Sequence, residues 1–88
     1  MLDMEEATRL ARNFLDEKAS HEGTAFALTE GERAQVGHTY YFDCQSAAYL
    51  RSGDLRDMAI GTGYVSVDGE TGTCRMLRAT ESARLDLF

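Results

Sequence analysis

The stretch Tyr40–Gly72, YYFDCQSAAYLRSGDLRDMAIGTGYVSVDGETG, decides the fold of this chain. Tyr40, Phe42 and Cys44 alternate with Tyr41 and Asp43, the period-2 pattern of a half-buried strand, which the spacing extends over His38–Gln45. Tyr64–Val67 repeats it, with Val65 and Val67 on one face and Tyr64 and Ser66 on the other. Asp68-Gly69-Glu70-Thr71-Gly72 then has hairpin chemistry: Asp opens a type I turn and Gly72 is free to take a positive φ. Thr73–Leu77 is the returning strand, with Cys74 and Met76 on a common face.

Between these strands the pattern is less regular. Ser46 reads as the cap of one helical turn over Ala47–Leu50, closed by Gly53, and Asp54 as the cap of a second from Leu55 to Met58. An extended path fits the same residues. Gly61-Thr62-Gly63 lacks the third glycine of a dinucleotide loop and enters a strand instead of opening a helix, so it reads as a bend or bulge.

Working outward, Asp3 and Glu6 form a capping-box-like start to an amphipathic helix over roughly Met4–Ala19. Met4, Ala7, Ala11, Phe14 and Leu15 make its apolar stripe, with Leu10 on the flank and polar residues, Thr8 among them, opposite. The polar face is mixed in charge, which suits core packing better than a membrane surface. Thr24–Thr29 reads as a strand, Glu30–Arg33 as a polar turn and Ala34–Val36 as a short edge segment. The tail from Thr80 ends in Leu85-Asp86-Leu87-Phe88, apolar enough to dock on the sheet or pair as an edge strand. The expected architecture is a single α+β domain over residues 1–88. Its N-terminal helix packs on one face of an antiparallel sheet of about four strands, in two layers.

Composition narrows the function. With 88 residues the chain supports one core, burying about two-thirds of its unfolded surface. Nine basic against fifteen acidic residues give a net charge of −6, which disfavours nucleic acid and favours a basic protein partner. The simpler use of that charge is solubility. No apolar run reaches membrane-spanning length, and the start of the chain has no signal-peptide pattern, so a reducing cytoplasm is the expected compartment.

Candidate chemistry is thin. Cys44 and Cys74 have no metal-ligand spacing and read as small buried apolar residues. His38 and Cys44, six residues apart on one strand, stand about 20 Å apart at about 3.3 Å per residue, too far for a thiol–imidazole dyad. Asp43, Asp54, Asp57, Asp68 and Glu70 lack the alternation of a calcium loop. No cofactor, metal or catalytic residue is expected. What remains is a surface. Tyr41, Asp43, Tyr64 and Ser66 should share the sheet face opposite the helix, with Asp54 and Asp57 nearby, and acidic, tyrosine-bearing sheet faces make good protein interfaces. These six are the expected partner-binding residues.

The order of these motifs resembles the immunity protein 35 family of bacterial polymorphic toxin systems: YYF running into QS, then YL and SGD, the IGTG approach to a valine strand, and VDGETG. The N-terminal EEATRLARNFL is similar too, whereas Ser20–Val36 and the tail after Arg78 depart from the pattern. The resemblance implies a small cytoplasmic protein, monomer or homodimer, that neutralises a cognate toxin by stoichiometric occlusion without catalysis. The alternatives are a regulatory or holdase-like binding module and, behind it, a small enzyme using Cys44 or scattered carboxylates.

Overall fold

The computed structural model describes residues 1–22, 25–58 and 62–87, the side chains at 21, 22, 30 and 62 excepted. Its elements in chain order are α1 (Met4–Glu22), β1 (Phe26–Val36), β2 (Thr39–Ser46), α2 (Ala47–Ser52), a 3-10 turn (Leu55–Asp57), β3 (Thr62–Asp68), β4 (Cys74–Arg78) and α3 (Ala79–Leu85). The four strands form one antiparallel sheet in the order β1-β2-β3-β4, and α1 covers one face. The domain is an α+β two-layer fold, as the periodicities predict.

α1 starts as the sequence requires. Asp3 Oδ1 accepts the Glu6 amide proton at 2.8 Å, and Glu6 Oε1 accepts that of Asp3 at 3.4 Å, so two donors at the helix start are satisfied reciprocally. Ala7, Ala11 and Leu15, each four residues on from the last, are at most 1 % exposed. Small alanines let the helix axis approach the sheet closely, where it meets Tyr40, Phe42, Cys44, Val65 and Val67. Thr8, assigned by its polarity to the outer side, is buried. Its hydroxyl donates to the Met4 carbonyl at 2.7 Å, which satisfies the group within its own helix.

The registers align the two faces. On the inner face Tyr40 pairs with Val67 and Phe42 with Val65, and beyond them Cys74 and Met76. On the outer face Ala34, Tyr41, Ser66 and Arg75 form one row across all four strands. The Asp68 turn forms as expected: its Oδ1 accepts from the Glu70 amide at 2.8 Å, its carbonyl accepts from the Gly72 amide at 2.7 Å, and Gly72 takes φ +78°. The N-terminus is tied to this hairpin, the Leu2 amide donating to the Gly69 carbonyl and the Tyr40 hydroxyl to the Leu2 carbonyl.

Three segments bear comparison with the sequence reading, and the first departs from it. Glu30–Arg33 is not a turn between strands; it lies inside β1, where five steps from Leu28 to Arg33 oppose only two from Cys44 to Phe42. Gly31, at φ +82°, absorbs the irregularity, and the true reversal is the tight turn at Gly37-His38. Thr24, where the strand was expected to start, lies outside the described residues. Of the two courses expected for the tail, docking on the sheet is the one taken, and it is taken as a helix: residues 79–85 form α3 on the outer sheet face, with Phe88 outside the described residues. Finally, Gly63 and Tyr64 together oppose Leu77, a bulge between the pairs Thr62–Arg78 and Val65–Met76. The bend expected at Gly61-Thr62-Gly63 is therefore real at Gly63, while Gly61 lies outside the described residues. The Tyr64 amide points to α3, where the Ser82 hydroxyl oxygen accepts its proton at 2.8 Å while donating to the Arg78 carbonyl at 3.2 Å. Ser82 is buried by this role.

Candidate functional site

The outer sheet face holds a groove of about 550 Å³. Its floor is Thr39, Tyr41, Ser66 and Arg75, and its far wall is α3 with Leu77, Glu81, Arg84 and Leu85. Strand alternation sets the floor: once Val65, Val67, Cys74 and Met76 turn toward α1, Ser66 and Arg75 must turn away. α3 sets the wall because the bulge and Ser82 fix where it lands.

Arg75 and Glu81 clasp across floor and wall, with guanidinium nitrogens 3.3 and 3.1 Å from the two carboxylate oxygens. The Glu81 Oε1 also accepts the Arg78 amide proton at 3.1 Å at the start of α3. The Arg75 hydrogen bond, with the Arg78 amide second, holds the Glu81 carboxyl below its ordinary value, and Glu81 in turn raises Arg75. A carboxyl depressed in the fold contributes stability that is present above its unfolded value of 4.5 and lost as pH falls through its lower folded value. Glu81→Gln should therefore lower the thermal midpoint at pH 7, and the gap from the parent should close as the pH is taken below 4.5. Because both groups are solvent-accessible, added salt should narrow the gap as well. A gap independent of pH would remove the ion pair from the docking of α3.

The expected contact residues do not gather in one place. Tyr41 and Ser66 lie side by side in the groove, each half-buried. Asp43 is on the same strand face, two residues farther along β2 and half-buried, outside the groove lining. Tyr64 is not offered to a partner: it is 9 % exposed on the face α3 covers, because the bulge packs it under that helix. Asp54 and Asp57 belong to the excursion between β2 and β3 and are engaged locally. Asp54 caps the 3-10 turn, accepting from the Arg56 amide at 2.9 Å and from its guanidinium at 2.8 Å, so hydrogen bonds from Arg56 hold its carboxyl low. Asp57 accepts from the Ser52 hydroxyl at 2.8 Å. Arg75, Glu81 and Arg84 were missed. Alternation about Cys74 and Met76 signals an outward Arg75; nothing local signals that residues 79–85 return over the sheet.

Among the described residues no imidazole is placed beside a thiol. His38 sits in the β1–β2 turn, its Nδ1 3.2 Å from Met1 Sδ and its Nε2 3.8 Å from Glu70. The side chain of His21 lies outside the described residues. Cys44 is buried and free, its Sγ facing the Gly63 carbonyl at 3.5 Å. Burial, assisted by the neighbouring Asp43 charge, pushes its thiol up to about 11, so at neutral pH it is a protonated, poor nucleophile. Burial likewise raises the half-buried Cys74 thiol. Iodoacetamide at pH 7.5 should leave Cys44 unmodified in the native protein and alkylate it fully in denaturant, read by intact and peptide mass. Rapid native labelling of Cys44 would reopen thiol chemistry. Among the described residues no three His, Cys, Asp or Glu side chains converge as a metal set, and no helix is long and apolar enough to cross a membrane.

No protein-family model matches the chain, and no curated protein or solved structure is found to be similar to it.

Proposed function

We propose that this domain is a stoichiometric blocker, a small cytoplasmic immunity protein that binds a toxin made by its own cell and covers the toxin's working surface. The order and spacing of motifs from Tyr40 to Gly72 carry the reading, through the resemblance they create. The fold adds a means. A rigid sheet, sealed by α1 on one side, holds Tyr41, Ser66 and Arg75 in a fixed row on the other, where a partner can be gripped without a large ordering cost. A net charge of −6 speeds encounter with a basic partner. The high Cys44 value weighs against a thiol enzyme.

The test is co-expression with toxin-like reading frames adjacent to the gene. Growth should be rescued only when the domain is at least equimolar with the toxin, and the two should elute as a complex of fixed stoichiometry. Protection at far lower ratios would mean turnover and would replace the blocker with an enzyme. A partner bound only when unfolded would replace it with a holdase.

A further inference from the structure

We propose that the groove between the outer sheet face and α3 receives a carboxylate, an Asp or Glu side chain that the toxin inserts beside Arg75 and Arg84. The proposal rests on the blocker reading and adds which site on the domain grips the partner and what chemistry it takes.

An excess of hydrogen-bond donors carries it. Two carboxylates line the groove, and each is already engaged. Glu81 gives both oxygens to Arg75 and one of them to the Arg78 amide as well. Asp68, in the hairpin, caps its own turn, its Oδ1 accepting from the amides of Glu70 and Thr71. The donors are not matched in this way. Arg84 makes no hydrogen bond or ion pair with any described residue, and the hydroxyls of Thr39 and Tyr41 have no hydrogen-bond partner among them either. Arg75 spends only part of its guanidinium on Glu81, which takes fewer N–H groups than the side chain carries.

These groups line one space. Tyr41, Ser66 and Arg75 are cross-strand neighbours in a single row, and Thr39 shares the Tyr41 face of β2. Arg84 comes one turn after Glu81 along the same side of α3, so the clasp of Glu81 on Arg75 sets Arg84 on the wall beside it. Leu77 and Leu85 complete that wall, and against an apolar wall a charge-assisted bond is worth more than in open water. What fits is a negatively charged acceptor, and a carboxylate meets a guanidinium through two oxygens at once. At about 550 Å³ the groove has room for the side chain and the loop that carries it.

Net charge decides between a free anion and one delivered by a protein. A domain at −6 repels small anions, and water competes for both exposed guanidinium groups. A side chain on a partner already held by the surrounding contacts needs no long-range attraction of its own. The acidic domain draws a basic partner in, and the groove then fixes the register through one acidic side chain.

The toxin identified by growth rescue is the probe. Arg84→Ala should leave the thermal midpoint of the free domain close to that of the parent, since the side chain is exposed and bonds to no described residue. It should weaken toxin binding by about 10-fold or more, mainly through faster dissociation. Arg84→Glu should weaken it further, and changing one Asp or Glu of the toxin to Arg should restore that complex. Sodium acetate titrated onto the free domain should give no saturable amide shifts in the groove below about 10 mM; saturation there would replace the partner's side chain with a free anion. A parent complex that forms normally, with Arg84→Ala within about threefold of it or Arg84→Glu binding more tightly, would overturn the groove and leave the blocker standing. So would the failure of every acidic position of the toxin to compensate Arg84→Glu. A parent that neither binds nor rescues would overturn both.

Discussion

Gly63→Ala should destabilise the domain by about 3 kcal/mol, the upper part of the usual range for overpacking a tight site. That corresponds to a fall in thermal midpoint on the order of 15 °C for a domain of this size. A Cβ at Gly63 would stand 2.6 Å from the Arg78 carbonyl oxygen and 2.7 Å from that of Leu77, and 2.2 Å from the Ser82 hydroxyl. The hydroxyl can rotate; the carbonyls cannot, because they belong to β4 and the start of α3. The chain must therefore give up the bulge or lift α3. A second substitution separates these contacts. Ser82→Gly placed on Gly63→Ala removes the hydroxyl and leaves the carbonyl clashes, and it also strips the Tyr64 amide of its acceptor. The double variant should remain at least as unstable as Gly63→Ala, as read by chemical denaturation and near-ultraviolet dichroism of the tyrosines. A single variant within about 1 kcal/mol of the parent would show that α3 is only loosely seated.

Phe42→Ala should cost more, about 3–5 kcal/mol. Phe42 is 2 % exposed, at the centre of the inner face, paired with Val65 and overlaid by the alanine stripe of α1. Alanines cannot swing in to fill the void, and the neighbouring strands are held by their ladders, so most of the cavity should persist. Domains of this kind rest on a total of about 5–15 kcal/mol, so the variant should populate the unfolded state measurably at 37 °C and lose its sharp thermal transition. Phe42→Leu, which keeps most of the volume, should cost no more than about 1.5 kcal/mol. Equal losses from the two would move the centre of the core away from Phe42.

How much of this was legible in the chain follows from which forces were local. The Asp3/Glu6 start of α1, the alternation of Tyr40–Cys44 and the Asp68–Gly72 turn depend on neighbours a few residues away, and they appear as expected. The two capped turns after β2 were also readable, from Ser46, Gly53 and Asp54. Glu30–Arg33 misled because polar residues around a glycine carry the same chemistry whether they reverse the chain or swell a strand. Only pairing with β2 distinguishes the two. The candidate surface was half legible. Strand parity placed Tyr41 and Ser66 together on the outer face, but Tyr64, on that same face, is hidden by a helix whose docking depends on a glycine nineteen residues before Ser82. The carboxylates of Asp54 and Asp57 build the local turns, and it is the neighbouring leucines that meet the solvent.

The strand order carries a kinetic consequence. Every strand lies beside its neighbour in the chain, and two of the three pairings close tight turns, with only the β2–β3 pairing spanning the longer excursion, so no distant ends must find one another before the sheet exists. With no proline in the chain, folding also meets no slow peptide-bond isomerisation. The last hurdle is laying α1 across strands that are synthesised after it. Refolding should accordingly run as one rapid exponential in stopped-flow fluorescence of the tyrosines, ahead of the minutes-long phases common in proline-bearing domains.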